Sequence, residues 1–361
     1  MNTFFQSVPF AVVLLIIGFA FLVKGADAFV EGSSSIAKHF QVPSLIIGMT
    51  IVAMGTSLPE TAVSVTASIA GSNALAVSNA VGSNIFNLMV VIGVCAVLTP
   101  VAVQKSSLKI DIPFSIVCAL LLLVLGHDRM MLTRVNGLIL IVLFAFFILY
   151  MIRSAQHSMN NEDSELAAEA ADMKVMSVPK SLIFIVIGIA GITLGSDWVV
   201  DGAKTIASAF GISENLIGLT IVAFGTSLPE LMTSIVAARK NEVDMALGNA
   251  VGSNIFNILM VLGIASALSP IAFIQENIID IIILVGFSFI VWLMAWTKHR
   301  LDKIEGLAMI LLLRRTHGLP GMRSTRSPLP EASCPGYHVP DLPYVYQLQN
   351  PEYRKPEGPL R

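Results

Sequence analysis

Apolar side chains run along this chain in blocks of roughly twenty, the length a helix needs to cross bilayer hydrocarbon. Such blocks fall near residues 8–29, 44–70, 74–99, 110–126, 135–152, 179–203, 214–238, 244–269 and 278–297, and a tenth begins near Ile304. The pattern predicts an all-α, polytopic membrane protein of about ten transmembrane helices. Composition agrees, with 55% apolar residues, 13% charged and a mean hydropathy of +0.78. The first block reads as a true membrane helix and not a cleaved leader, because Met1–Phe10 holds no Lys or Arg and no small-residue cleavage pattern follows.

The blocks repeat. Gly48–Glu60 (GMTIVAMGTSLPE) returns 170 residues later as Gly218–Glu230 (GLTIVAFGTSLPE), with eleven of thirteen positions identical. Asn79–Leu88 (NAVGSNIFNL) returns as Asn249–Ile258 (NAVGSNIFNI), with one difference in ten. Gly25–Ser44 aligns with Gly195–Glu214, and beyond Pro100 the offset becomes 169, so that Asp111 matches Asp280 and Gly137 matches Gly306. Two five-helix repeats follow, over residues 1–152 and 179–313, joined by a polar linker at 153–178 with five acidic residues between 162 and 172. Five is odd, so the second copy must lie upside down relative to the first. Loop charge sets the orientation. With the N-terminus outside, inner loops hold eleven Lys and Arg, among them Lys38, Arg153 and Lys240, against Arg129, Arg134 and Lys204 outside. The linker is therefore expected in the cytoplasm, with the chain in a bacterial inner or plasma membrane.

Polar positions inside the blocks carry the chemistry. In Gly55-Thr56-Ser57-Leu58-Pro59-Glu60 a proline removes one helical donor and a glycine relaxes the backbone, within a 27-residue apolar segment. Carbonyls freed at that depth are tolerable only against a polar cavity or an ion. Thr56 and Ser57 add hydroxyls and Glu60 a carboxylate; Thr226, Ser227 and Glu230 repeat them. An all-oxygen set suits a hard cation, and Ca²⁺ takes about 6–8 such ligands. In the second motif Ser83 and Asn87 stand at i, i+4 on one helix face, as do Ser253 and Asn257. Asn84 and Asn254 point about a third of a turn away and are read as structural. Gly82 and Gly252 are read as permitting close helix contact. A carboxylate at membrane mid-depth is costly and commonly functional, and a duplicated pair suggests one shared site between the halves. The bland alternative is a pair of kinked helices with interhelical hydrogen bonding.

These paired motifs resemble the two α-repeats of the cation/Ca²⁺ exchanger superfamily, above all prokaryotic sodium/calcium exchangers. The resemblance spans nearly all of residues 1–313. It implies broken helices at the ion site, with cation ligands at Thr56, Ser57, Glu60, Ser83 and Asn87, and at Thr226, Ser227, Glu230, Ser253 and Asn257. It also implies ligand carbonyls at Ala53 and Ala223, and sliding of the first and sixth helices around Asp27 and Asp197. One departure stands out: many such exchangers carry Asp where this chain has Asn257. Two carboxylates balance one Ca²⁺, two Na⁺ or two H⁺, whereas three Na⁺ leave unpaired charge, which burial disfavours. Exchange closer to electroneutral than three-for-one is the expectation.

The reading is an antiporter exchanging Ca²⁺ for Na⁺ or H⁺ by alternating access. Its partners are lipid and inorganic cations, with no permanently bound cofactor and no catalytic residues. A Ca²⁺/H⁺ or K⁺-coupled exchanger, a cation channel and an intramembrane enzyme are the alternatives; counterflow separates exchanger from channel. No basic stripe suits nucleic acid, and neither the three Cys nor the six His have zinc-site spacing. The acidic pairs Asp27/Glu31 and Asp197/Asp201 read as helix-end solvation more than as cation vestibules. Lys24 is expected to snorkel or to pair with an acid. Arg314-Arg315 cuts the tenth block after roughly ten apolar residues, too few to cross. The tail at 314–361 holds nine of seventeen prolines and is expected to be disordered, or non-native through a frameshift or fusion.

Overall fold

Helices built from the apolar blocks make up nearly all of the structure, a computed structural model that describes residues 7–127, 130–160, 176–212, 221 and 223–316. All of these lie in one compact unit, Met1–Thr325. In the first half, α1 (Val8–His39) precedes α2 (Ser44–Thr56) and α3 (Leu58–Ile69). Next, α4 (Asn73–Phe86) runs through a π turn (Asn87–Val91) into α5 (Ile92–Leu98), followed by α6 (Ile112–His127) and α7 (Arg134–Asn160). The second half gives α8 (Val178–Ala209), α9 (Ala223–Thr226) and α10 (Leu228–Arg239). It continues with α11 (Val243–Phe256), a π turn (Asn257–Val261), α12 (Leu262–Leu268), α13 (Gln275–Lys298) and α14 (Lys303–Thr316).

Seven helices are long and apolar enough to cross a membrane, or eight if the bent pair α2–α3 counts as one. Two of the ten expected spans are thus missing among the described residues, each for a definite reason. The first part of the block at 214–238 lies outside the described residues, apart from Ile221. The tenth, α14, has 14 residues, about 21 Å at 1.5 Å per residue, short of the ~30 Å of hydrocarbon. The tail from residue 317, most of the acidic linker and the block start at 214–220 lie outside the described residues, so those expectations stand apart from this structure. Two boundaries need correction. The blocks at 8–29 and 179–203 were expected to end in loops, but α1 runs on to His39 and α8 to Ala209. Packing carries α1 past its apolar limit: Ser33, Ser34 and Ser35 are buried.

The two long helices pack antiparallel along a seam of small residues spaced by seven, Ala11, Gly18, Gly25 and Gly32 against Gly202, Gly195, Gly188 and Ser181. A methyl group at Gly25 would sit 2.6 Å from the amide nitrogen of Ile192, and one at Gly188 would sit 2.6 Å from that of Phe29. Only glycine lets the backbones approach this closely, and the seven-residue spacing suits a left-handed crossing.

Elsewhere the repeats meet in matched pairs. Strand β1 (Val101–Ala102) lies antiparallel to β4 (Arg300–Leu301), and β2 (Met131–Leu132) to β3 (Ile271–Ala272). Each is one contact seen from the other half, because β1 and β3 are repeat counterparts, as are β2 and β4. Beside them Val103 N–H donates to His299 O and, equivalently, Phe273 N–H donates to Met130 O.

Ion pairs break this symmetry at one end. Lys240 Nζ, at the α10–α11 turn, lies 2.7 Å from Asp27 Oδ1 and 3.6 Å from Glu31 Oε2 on α1. On the same turn, Glu242 takes Lys38 Nζ at 3.1 Å and the Ser44 hydroxyl at 2.8 Å, and Ser34 also donates to it. Burial pushes the Glu242 carboxyl up, but the Ser34 and Ser44 hydroxyls and the Lys38 ammonium outweigh it and hold the group below the usual carboxylate range. The repeat counterparts of Lys240 and Glu242 are Ala70 and Ser72, which carry no charge. Asp27 and Glu31 are therefore engaged in tertiary pairs, whereas Asp201 pairs locally with Lys204 at 3.5 Å.

Candidate cation site

Both broken helices turn at the same residue. Ser57 joins α2 to α3 with φ −84° and ψ 13°, bending the pair by 50°, and Ser227 joins α9 to α10 with φ −92° and ψ 4°. Pro59 and Pro229 follow in the first turn of the next helix, where a missing N–H is harmless. Each proline leaves the carbonyl four residues back without its helical donor. In the second half Ser196 Oγ caps that carbonyl, Gly225 O, at 2.7 Å, while its first-half counterpart, Ala26, has no hydroxyl to do the same for Gly55.

The breaks put Glu60 and Glu230 in the first turns of α3 and α10, both fully buried. Each carboxylate is held by the opposite half. Ser57 Oγ donates to Glu230 Oε1 at 2.9 Å, and Ser227 Oγ donates to Glu60 Oε1 at 3.3 Å. Ser83 Oγ lies 3.3 Å from the same Glu60 oxygen and 3.0 Å from Ser227 Oγ. The Thr56 hydroxyl lies 3.1 Å from Asn249 Oδ1 and 3.2 Å from Val52 O. Ala53 O accepts the Ser57 N–H at 3.1 Å, and the Thr56 hydroxyl lies 3.4 Å from it. Thr226 is buried, and Ala223 opens α9. The halves thus cross over one another, and the two acids share a hydroxyl cluster.

A lattice of asparagines supports this cluster. Asn84 Nδ2 donates to Asn254 O at 3.1 Å and Asn254 Nδ2 donates to Asn84 O at 3.3 Å, reciprocal bonds across the repeat interface. Their side-chain oxygens then accept from the ligand-face amides: Asn87 Nδ2 donates to Asn254 Oδ1 at 3.2 Å and Asn257 Nδ2 to Asn84 Oδ1 at 3.0 Å. Each amide therefore turns its oxygen the other way. A π turn starts at both Asn87 and Asn257, a local widening frequent at functional sites. Gly252 makes the close contact expected of it, since a methyl there would fall 2.6 Å from Met49 Cα. No such neighbour exists for Gly82 among the described residues, the repeat counterpart of Met49 being Leu219, outside them.

What remains is a set of buried oxygens that find no hydrogen-bond partner among the described residues: Glu60 Oε2, Glu230 Oε2, Asn87 Oδ1, Asn257 Oδ1 and Ser253 Oγ. Buried oxygens left unpaired are costly, and five of them on the motif residues are what a bound cation would satisfy. The set is neutral amides and hydroxyls around two carboxylates. Among the described residues no group of three or more His, Cys, Asp or Glu is placed to hold a metal. Sequence reasoning left Asn79 and Asn249 without a role. Asn79 Nδ2 donates to Glu60 O and Ser64 Oγ, and Asn249 Nδ2 to Glu230 O and Ser234 Oγ, fixing the turn that carries each acid. Their signal was present in the sequence, since both open the repeated second motif.

Comparison with known proteins places these features in a family. The family profile described as sodium/calcium exchanger protein matches residues 10–153 and 180–313. The Escherichia coli inner membrane protein YrbG is 35% identical over 289 residues, covering 78% of this chain and 89% of its own. The sodium/calcium exchanger MaX1 of Methanosarcina acetivorans is 31% identical over 331 residues, covering 82% and 95%. Among solved structures, the sodium-calcium exchanger NCX_Mj soaked with Na⁺ and Sr²⁺ superposes with a TM-score of 0.75 at 33% identity, covering 86% of this chain and 98% of that one. The likeness runs through both repeats and both motif pairs, and the chain belongs to the sodium/calcium exchanger protein family.

Proposed function

We propose that the protein is a secondary-active antiporter that moves Ca²⁺ across the membrane against Na⁺ or H⁺, through one site shared by two inverted five-helix repeats. The five buried oxygens on Glu60, Glu230, Asn87, Asn257 and Ser253 that have no hydrogen-bond partner among the described residues carry this reading. Adding the Ala53 and Ala223 carbonyls brings the set to seven, within the roughly 6–8 oxygens Ca²⁺ takes. The hydroxyls of Thr56, Ser57, Ser83, Thr226 and Ser227 aim the carboxylates or join the shell as a smaller ion enters. Two carboxylates balance one Ca²⁺, so departing Ca²⁺ leaves room for two monovalent ions. Protons compete with Ca²⁺ because the glutamates must be ionised to hold it. The antiparallel seam between α1 and α8, with matched loop contacts at both ends, supports an inverted arrangement over 1–152 and 179–313. The basic loops support an outer N-terminus and a cytoplasmic linker.

The test is ⁴⁵Ca²⁺ uptake into proteoliposomes under an imposed Na⁺ or pH gradient. Uphill uptake is expected only with an opposing gradient; downhill flux alone would indicate a channel. Glu60→Gln and Glu230→Gln should each lower uptake at least about tenfold, the factor for 1.4 kcal/mol of lost ion binding. Full-rate transport in both variants would remove the glutamates from the mechanism.

A further inference from the structure

Away from the cation site, the first repeat holds a cavity of about 310 Å³ between the start of α6 and the end of α7. Aromatic rings form much of its lining: Phe114 from α6, and Phe146, Phe147 and Tyr150 from α7. Phe114 and Phe147 stack at 5.5 Å with their planes 8° apart, which fixes one wall. Among the described residues the lining holds one acid, Asp111, the last residue of the π turn Ser107–Asp111 that leads into α6. It is 6% exposed, and it forms no ion pair among the described residues. Ser107 stands beside it, buried, with a hydroxyl that finds no hydrogen-bond partner among the described residues. A buried charge without a partner is costly, so this carboxylate marks a place for a cation.

The cavity lies close to one membrane face. Asp111 is four residues, about 6 Å, into the apolar span Ser107–His127. Helix side chains lean toward the N-terminus, which here is that same face. Tyr150 is six residues from the end of the span Arg134–Gln156, and the exposed Lys109 and Arg153 lie further out. Aromatic side chains gather at this level of a bilayer. Ile110, Phe146 and Tyr150 are exposed on the outer surface of the helices, so the cavity opens to the membrane. A metal ion does not suit it, because one carboxylate and one phenol fall short of the roughly six oxygens a hard cation takes. An organic ammonium does, since ring faces as well as the carboxylate can meet its charge. The geometry points to a binding site for a single-chain ammonium amphiphile drawn from the membrane. Its ammonium sits on Asp111 among the aromatic rings, and its tail runs over Ile110 and Phe146.

Scintillation-proximity binding of tritiated dodecylamine to the full chain in phosphatidylcholine nanodiscs tests this, with the signal of empty nanodiscs subtracted. Wild type should bind it saturably. Unlabelled dodecylamine should displace it, and dodecanol, the same tail without the charge, should not. Asp111→Asn should weaken binding at least about tenfold, as loss of a desolvated charge contact does. Ile110→Trp narrows the cavity with the acid intact and should weaken it too. Asp201→Asn, which removes an exposed acid on α8, and Glu60→Gln, in the cation site, should both keep it. Absence of saturable binding, displacement by dodecanol, or undiminished binding in Asp111→Asn or Ile110→Trp overturns the proposal. So does equal loss in Asp201→Asn or Glu60→Gln, the latter because it would assign the amine to the cation site.

Discussion

The amide of Asn257 donates its N–H to Asn84 and leaves its own oxygen free for the proposed cation site. An aspartate there would set a carboxylate oxygen against Asn84 Oδ1, and the cross-repeat bond would go, at about 1–3 kcal/mol for a buried group left unpaired. The present residue therefore fits a site with two charges and not three. We predict that Asn257→Asp lowers the unfolding temperature and makes Ca²⁺ flux more sensitive to an imposed membrane potential. In the parent, flux should change little with potential; strong voltage dependence of the unmodified protein would contradict the two-charge account. The motif residues were legible because they recur 170 positions apart at membrane depth, where polarity needs a reason. The partners of Asn84 and Asn254 were not. Side-chain spacing encodes a helix face, and the bonds in question join atoms on opposite halves.

Among the elements, the α1–α8 pair is the one whose geometry the sequence least announced. Hydropathy gave the apolar cores of both helices but stopped some ten residues short on α1, because Ser33–Ser35 read as loop until a partner helix buries them. The seam itself is written in seven-residue spacing of small residues. Gly25→Ala should destabilise the protein by about 1–3 kcal/mol, because backbone must move to admit the methyl. Gly286→Ala, with nothing within 4 Å of the added carbon, should be near neutral; thermal melts in one detergent compare them. The charged turn at Lys240–Glu242 makes a separate prediction. Because the folded-state carboxyl of Glu242 titrates below its usual value of 4.5, its stabilisation is complete above that value and drains away as pH falls through the lowered one. Melting temperatures between pH 7 and pH 3.5 should drop further in wild type than in Glu242→Gln. Parallel curves would mean that the ion pairs at this turn do not hold α1 down.

For the whole molecule, the sequence disclosed the number of apolar blocks and their duplication, whereas the count of full crossings depends on what interrupts them. Arg314-Arg315 ends the last block early, and α14 stops at Thr316. The crosswise grip at the centre has a further consequence. Ser57 serves the acid of the second half and Ser227 that of the first, so neither half owns a finished site. The protein is in effect a two-subunit assembly whose subunits happen to share one polypeptide. A gene split within residues 161–175 should still yield partners that find each other: the two fragments, made together, are expected to co-purify and to recover Ca²⁺ uptake. Either fragment made alone should move none.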